Sequence, residues 1–189
     1  MTATSRRRRA LQAAATVVVI VAAATVWHNL PAPSDVYRPF DVHGSIGEQV
    51  SGRTFDLTVT GVRTGQQVKA PRRPLVTALG TWVIVDAELR ATRQFVLPRA
   101  ELLAGPNTYL PSDRFQFVQL GGELAPLITQ QGSWAFDVAP ELLYPAADLR
   151  LRVWSGDSRL DSRVVVEIPM TATVAESGPL SLAAIQKAA

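Results

Sequence analysis

Histidine is the side chain best suited to acid–base work near neutral pH, and this chain of 189 residues has two, His28 and His43. One ends an apolar run and the other follows a proline-rich stretch; both read as solvated. The sequence has no cysteine, which removes thiolate nucleophiles, Cys-ligated metals and disulfides. It has no His-x-x-x-His pair, no G-x-S-x-G elbow and no glycine loop placed to cradle a phosphate ahead of a helix. A serine–lysine dyad would need Lys69 or Lys187, one in a loop by its pattern and the other in the tail.

Carboxylates offer a second chemistry. Asp86 and Glu88 are two apart in an alternating stretch, so a strand would aim both the same way. With Asp56 or Asp137 converging from neighbouring strands they would form a weak candidate metal site, since calcium takes six to eight hard oxygens. The simpler reading is a polar outward face paired with Arg90 or Arg152. No cofactor is expected. A third candidate is a surface for partners. Trp82 and Ile84 fall on the same outward face as Asp86 and Glu88, where a loop is expected to cover Trp82; an uncovered Trp82 would mark an interaction patch. Arg63, Lys69, Arg72 and Arg73 make the stretch that follows the first strong strand basic, a segment suited to anionic headgroups or polymers.

These residues are carried on an exported chain. Arg6, Arg7, Arg8 and Arg9 abut roughly 18 residues without a charge, enough at about 1.5 Å per residue to cross most of a hydrocarbon layer. Only Gln12, Thr16 and Thr25 interrupt the run, and Trp27 suits its exit into the headgroup zone. The arginines stay inside, which predicts a single-pass protein with a cytoplasmic N-terminus and an extracytoplasmic domain. A cleaved secretory signal is the alternative. The residues around Pro31 and Pro33 make a poor cleavage site, and the uncleaved signal anchor is the reading adopted. Of the 19 Lys+Arg, four are those arginines; the other 15 face 16 Asp+Glu, so the rest of the chain is near −1 and gives no reason to expect nucleic acid.

The expected organisation is a basic tip (residues 1–9), the anchor (10–29), a proline-rich spacer (30–43), an extracytoplasmic domain (44–170) and a tail (171–189). In the domain the apolar period becomes two. Residues 53–63 put Phe55, Leu57, Val59 and Gly61 on one face. Residues 81–91 put Val83, Val85, Ala87, Leu89 and Ala91 on an all-apolar face, which must meet the core. A loop is expected at 63–74. Further strands are expected at 49–51, 95–103, 108–110, 114–120 with Phe115 and Phe117 inward, 132–140 with Trp134, Phe136 and Val138 inward, 148–154 and 163–168. Seven to nine short strands with few helical stretches imply a β-sandwich. The tail reads as frayed, with a short helix near 180–189 capped by Ser181.

The order of features is familiar. Gly44-Ser45-Ile46-Gly47 precedes Phe55-x-Leu57-x-Val59, followed by Gly80-Thr81-Trp82-Val83-Ile84-Val85-Asp86-Ala87-Glu88-Leu89 and then Asn107-Thr108-Tyr109. Glu123-Leu124-Ala125-Pro126 then leads into Trp134-Ala135-Phe136-Asp137-Val138. Over about residues 44–154 this resembles the immunoglobulin-like exported domains of Gram-positive and actinobacterial proteins, among them small secreted mycobacterial antigens and relatives of unknown function. The resemblance implies an immunoglobulin-like sandwich and an exported location, and carries over no catalytic residue. The function expected is a membrane-anchored binding or assembly module of a bacterial envelope with a protein partner, accessory to a transporter or to wall biogenesis, and not an enzyme. Two alternatives stand beside it: a small extracytoplasmic metal- or ligand-dependent enzyme using the outward carboxylates, and a cleaved, secreted, antigen-like protein.

Overall fold

A computed structural model describes residues 3–29, 40–156 and 162–188. The chain divides into an N-terminal unit, Met1–Arg38, and a second unit, Pro39–Ala189. The first is built on the helix α1 (Ala3–Asn29), whose stretch Gln12–Asn29 is 18 residues long with a mean hydropathy of 1.3. By length and composition it suffices to cross a membrane. Its polar side chains turn back on the helix: Thr16 Oγ1 donates to the Gln12 carbonyl (3.0 Å), Thr25 Oγ1 to Val21 (2.8 Å) and Asn29 Nδ2 to Thr25 (2.8 Å). Each thereby satisfies its donor without water, which an apolar surrounding requires. The side chains of Arg6, Arg7, Arg8 and Arg9 and most of the expected spacer lie outside the described residues.

The second unit is an all-β sandwich of the immunoglobulin-like kind. Its strands are β1 (Phe40–Ser45), β2 (Gln49–Ser51), β3 (Phe55–Lys69), β4 (Val76–Ala91), β5 (Pro98–Ala104), β6 (Asn107–Tyr109), β7 (Thr129–Val138), β8 (Asp148–Ser155), β9 (Ser162–Pro169), β10 (Val174–Ala175), β11 (Leu180–Ser181) and β12 (Gln186–Ala188). One sheet runs β1-β9-β8-β5-β6 and the other β10-β3-β4-β7-β12, with β2 and β11 also on β3. The twelve strands among the described residues exceed the seven to nine expected. Most of the excess is in the tail, which forms short strands where a helix was expected. The sheeted unit also begins earlier, at Phe40 within the expected spacer.

β4 is the mast of the larger sheet. It pairs antiparallel with β3 from Phe55↔Ala91 to Val68↔Val76, and with β7 from Thr81↔Val138 to Arg90↔Thr129. Its inward row, Val83, Val85, Ala87, Leu89 and Ala91, is buried as its alternation predicts, against Trp134, Phe136, Leu102, Leu151 and Val166 in the main core. β3 is less regular. Between Val59 and Gly61 it carries one extra residue, which reverses the facing of those that follow; between Gly65 and Gln67 the register shifts again, with the surplus on β4, whose partners jump from Trp82 to Thr77. Hence Val62, and not Gly61, continues the core row, and Val68 points to the opposite side. The strand also runs on to Lys69 where a loop was expected from Arg63.

β1 lies parallel to β9, with Asp41 opposite Arg163. The guanidinium donates twice to the carboxylate, Nε to Oδ1 at 2.8 Å and Nη2 to Oδ2 at 2.9 Å. This hydrogen bonding holds the Asp41 carboxyl below its ordinary value of 3.8, against the opposing pull of partial burial. A depressed folded-state pKa contributes stability that is present above the unfolded value and is lost as pH falls through the folded one. Asp41→Asn is therefore expected to be less stable than the parent near neutrality, by about 1 kcal/mol or less for so exposed a pair. The gap should close below pH 3.8. Urea melts of both proteins across that range test it; a gap independent of pH would mean that the ion pair contributes nothing.

Candidate functional site

The carboxylates do not converge. Asp86 stands opposite Ser133 on β7, and Asp137 stands opposite Trp82, four residues away along β4. At about 3.3 Å per residue that is roughly 13 Å, too far to share a cation. Both Asp86 oxygens are engaged: Arg63 Nε donates to Oδ2 (2.8 Å), Arg63 Nη2 to Oδ1 (2.9 Å) and Ser133 Oγ to Oδ1 (2.6 Å). Asp137 accepts the backbone N–H groups of Leu79 and Gly80 at 2.9 and 2.8 Å. Glu88 accepts from Gln131 Nε2 at 2.8 Å and shares with Asp56 and Arg90 a shallow cleft of about 120 Å³. Among the described residues no three His, Asp or Glu side chains gather as a cation would need.

Arg63 accordingly belongs to a clamp and not to a basic loop. It lies within 3.7 Å of Glu176 and donates through Nη2 to the Ser181 carbonyl at 3.1 Å, so one side chain ties β3 and β4 to the C-terminal segment. The Asp86 hydrogen bonds hold its pKa above the ordinary value, with burial opposing. At Gly65 the segment comes so close that an added Cβ would lie 3.0 Å from Leu180 Cγ and 3.3 Å from the Glu176 carbonyl. Asp86→Asn leaves the half-buried Arg63 only the more distant Glu176, at 3.7 Å, as an anionic partner and should cost about 1.5–3 kcal/mol. Hydrogen exchange should rise first at Val174, Ala175 and Leu180. Loss of stability without faster exchange there would refute the clamp.

Trp82 does project from the side of β4 opposite the main core, but it is fully buried. A second apolar layer covers it, formed with Val68, Ala70, Ile84, Phe115, Ala135, Leu180 and Leu182. Phe115 meets its ring edge-on at 5.2 Å between centroids, Arg114 lies 5.8 Å from the ring centroid and Trp82 Nε1 donates to the Val76 carbonyl at 3.2 Å. A ring so enclosed presents no patch to a partner. Arg72 and Arg73 are exposed in the turn after β3, beyond Lys69 and beside exposed Leu75 and Leu79. The five residues proposed for partner binding are thus dispersed among an internal layer, a clamp and a hairpin tip. His43 is exposed on β1, and His28 is on α1.

An unexpected feature lies along the side of the sandwich. Residues 114–120 were expected to alternate as a strand, but the segment 110–122 instead makes a 3-10 turn, Asp113–Phe115, capped by Ser112. It seals one stretch of β7: Ser112 N–H donates to the Ala135 carbonyl and Leu120 N–H to Ser133, while Gln119 Nε2 donates to the Ser112 carbonyl and its Oε1 accepts from Ala135 N–H. The turn puts Phe115 inward and throws Phe117 out, with 82% of its surface exposed. Leu110, 69% exposed, lines the same concavity as Phe117. Between this segment and the start of β5 runs a groove of about 550 Å³ that reaches Pro98, Pro111, Trp134 and Trp154. The signal missed in the sequence is Pro111-Ser112-Asp113, a turn-capping triplet that breaks period two ahead of Phe117.

No family model and no curated protein matches the chain. Several solved structures are similar at low identity. One is an uncharacterised β-sandwich protein of Clostridium difficile, at 15% identity over 69% of this chain and 96% of that one, with a TM-score of 0.46. Another is a secreted protein of Mycobacterium tuberculosis, at 15% identity over 68% of this chain and 98% of that one, with a TM-score of 0.48. A third is a protein of Bacillus subtilis described as a lipoprotein by proposal, at 12% identity and a TM-score of 0.48, over 68% of this chain and 40% of that one. Likeness of this degree assigns no site and no activity.

Proposed function

We propose that the chain is a membrane-anchored, extracytoplasmic binding or assembly module of a bacterial envelope, without catalysis of its own, and that its groove receives an apolar segment of a protein partner. The arginine block in α1 ahead of its apolar stretch supports the orientation, and the dedication of Asp86, Asp137 and Arg63 to structural contacts supports binding over chemistry. The observation that carries the reading is Phe117 held out to solvent beside Leu110 over a groove backed by two tryptophans. A large aromatic beside a concavity is the arrangement that dominates binding energy in protein interfaces.

The test is a photoreactive residue at Phe117 in intact cells. A discrete protein adduct is expected, and Phe117→Asp, with a photoreactive residue at Leu110 as the probe, should lower adduct yield at least tenfold. Since Phe117 is exposed, its thermal midpoint should stay near the parent's. Equal yield from the parent and from Phe117→Asp would refute the groove as the docking site. The mass of the mature protein separates an anchored chain from a cleaved one.

A further inference from the structure

Phe40 opens β1 opposite Ser162, whose Oγ accepts the Arg53 N–H at 2.6 Å. Thr92 N–H donates to the Thr54 carbonyl at 3.0 Å, Val96 bridges to Leu124, and Leu127 N–H donates to Ala91 at 3.0 Å. These bonds knit the start of β1, the turn before β3, the connection from β4 to β5 and the approach to β7 into one end of the sandwich. Its apolar side chains are turned out: Phe40 is 76% exposed, Phe95 65%, Leu97 55% and Leu127 61%. Phe95 and Leu97 flank Val96, which is only 4% exposed, so the outward pair is fixed by an inward anchor. Arg53 and Arg93 are exposed between them and line a common cleft of about 400 Å³, without an acidic partner among the described residues. This is also the end at which the chain enters the sandwich after the apolar helix. Ten residues separate Asn29 from Phe40, and even fully extended they reach no more than roughly 40 Å.

From these observations we infer that this end docks on a lipid surface bearing anionic headgroups, with Phe40, Phe95, Leu97 and Leu127 entering the interface and Arg53 and Arg93 pairing with phosphates. The inference rests on the anchored reading of α1. Four apolar side chains at one end exceed the scattered singles normal on a surface. Aromatic and aliphatic tips flanked by arginines match the composition of an interfacial layer, while each cation gains from an anionic leaflet. The hairpin tip with Lys69, Arg72, Arg73, Leu75 and Leu79 is the rival surface on composition alone. It lies at the other end of β3 and β4 from Phe55 and Ala91, and so away from the strand the anchor feeds.

The absence of cysteine makes single-site labelling direct. Full-length protein carrying Phe95→Cys, Leu127→Cys, Leu79→Cys or Trp27→Cys is labelled with an environment-sensitive fluorophore. It is then reconstituted in vesicles of phosphatidylcholine with phosphatidylglycerol, or of phosphatidylcholine alone. Quenching by spin-labelled lipid is expected at positions 95 and 127 in the anionic vesicles, several-fold above position 79 and reduced in phosphatidylcholine alone. Arg53→Gln and Arg93→Gln should each lower the docked-to-undocked ratio roughly fivefold. Labels at 95 and 127 that remain in water would overturn the proposal, as would quenching confined to 79. Protection at 95 and 127 in native membranes but not in either vesicle would assign this end to a protein and overturn it too. Position 27 reports the anchor separately: quenching there with none at 95 and 127 rejects the docking and leaves the anchor standing. Its absence rejects the anchor.

Discussion

Trp82→Ala is expected to lower the unfolding free energy by about 3–5 kcal/mol, the usual cost of removing a large aromatic from a packed interior. Few single substitutions on the outward side of a sheet should approach that. A solvent-facing tryptophan would lose a few tenths. The difference arises because Trp82 is enclosed by Phe115, Leu180 and Leu182 and its indole N–H is bonded to Val76. Trp82→Phe keeps most of the ring contact and forfeits the hydrogen bond, so it should cost about 1–2 kcal/mol. Guanidinium unfolding of the three proteins decides the matter. A cost below 1 kcal/mol for Trp82→Ala would mean that the second layer contributes no packing, and would return Trp82 to the list of surface residues.

The parts of the fold legible in the sequence are those specified by one strand's own alternation. β4 reads Val83, Val85, Ala87, Leu89 inward without interruption, and a half-buried strand has no other way to place such a row. β8, with Leu149, Leu151 and Val153, is the same case. Where the pattern depends on an insertion it could not be read. The bulge of β3 after Val59 exchanges Gly61 for Val62 and carries Arg63 out to Asp86, although the two glycines, Gly61 and Gly65, stood at the two register shifts as residues that weaken a strand and mark bulges. The tail was illegible for a different reason. β10, β11 and β12 are two or three residues each, too short to show a period, and their order comes from pairing with β3 and β7.

The same distinction explains the candidate site. Outward apolar residues on β4 identified a surface in need of cover, but nothing local says that Leu180 and Leu182, about a hundred residues later, supply it. Phe115 and Phe117 differ in fate by one turn residue's geometry: a strand would have placed both on one side, whereas the capped 3-10 turn separates them. The groove and the outward row at the Phe40 end therefore became visible only once the connections were placed.

Leu180→Asp is the second large effect expected, and it should act locally. Leu180 is fully buried beside Trp82 and pairs in parallel with Val68. A carboxylate there has no partner, and burying it unpaired costs several kcal/mol. The chain escapes that cost by releasing the segment, so the penalty is capped at the free energy of undocking it. Three readouts should then move together. Tryptophan emission shifts to the red as Trp82 meets water, protease trims the chain beyond Thr173, and exchange accelerates at Val68 and Lys69 while the β8–β9 amides stay protected. Coupling follows from the same cap. Once the segment has left, Trp82→Ala removes contacts already broken, so the double variant should be less destabilised than the sum of the two singles. Additive costs would mean that Leu180 and Trp82 belong to separate layers. An unshifted emission with full protection would mean that the segment is held by Arg63 and Glu176 alone.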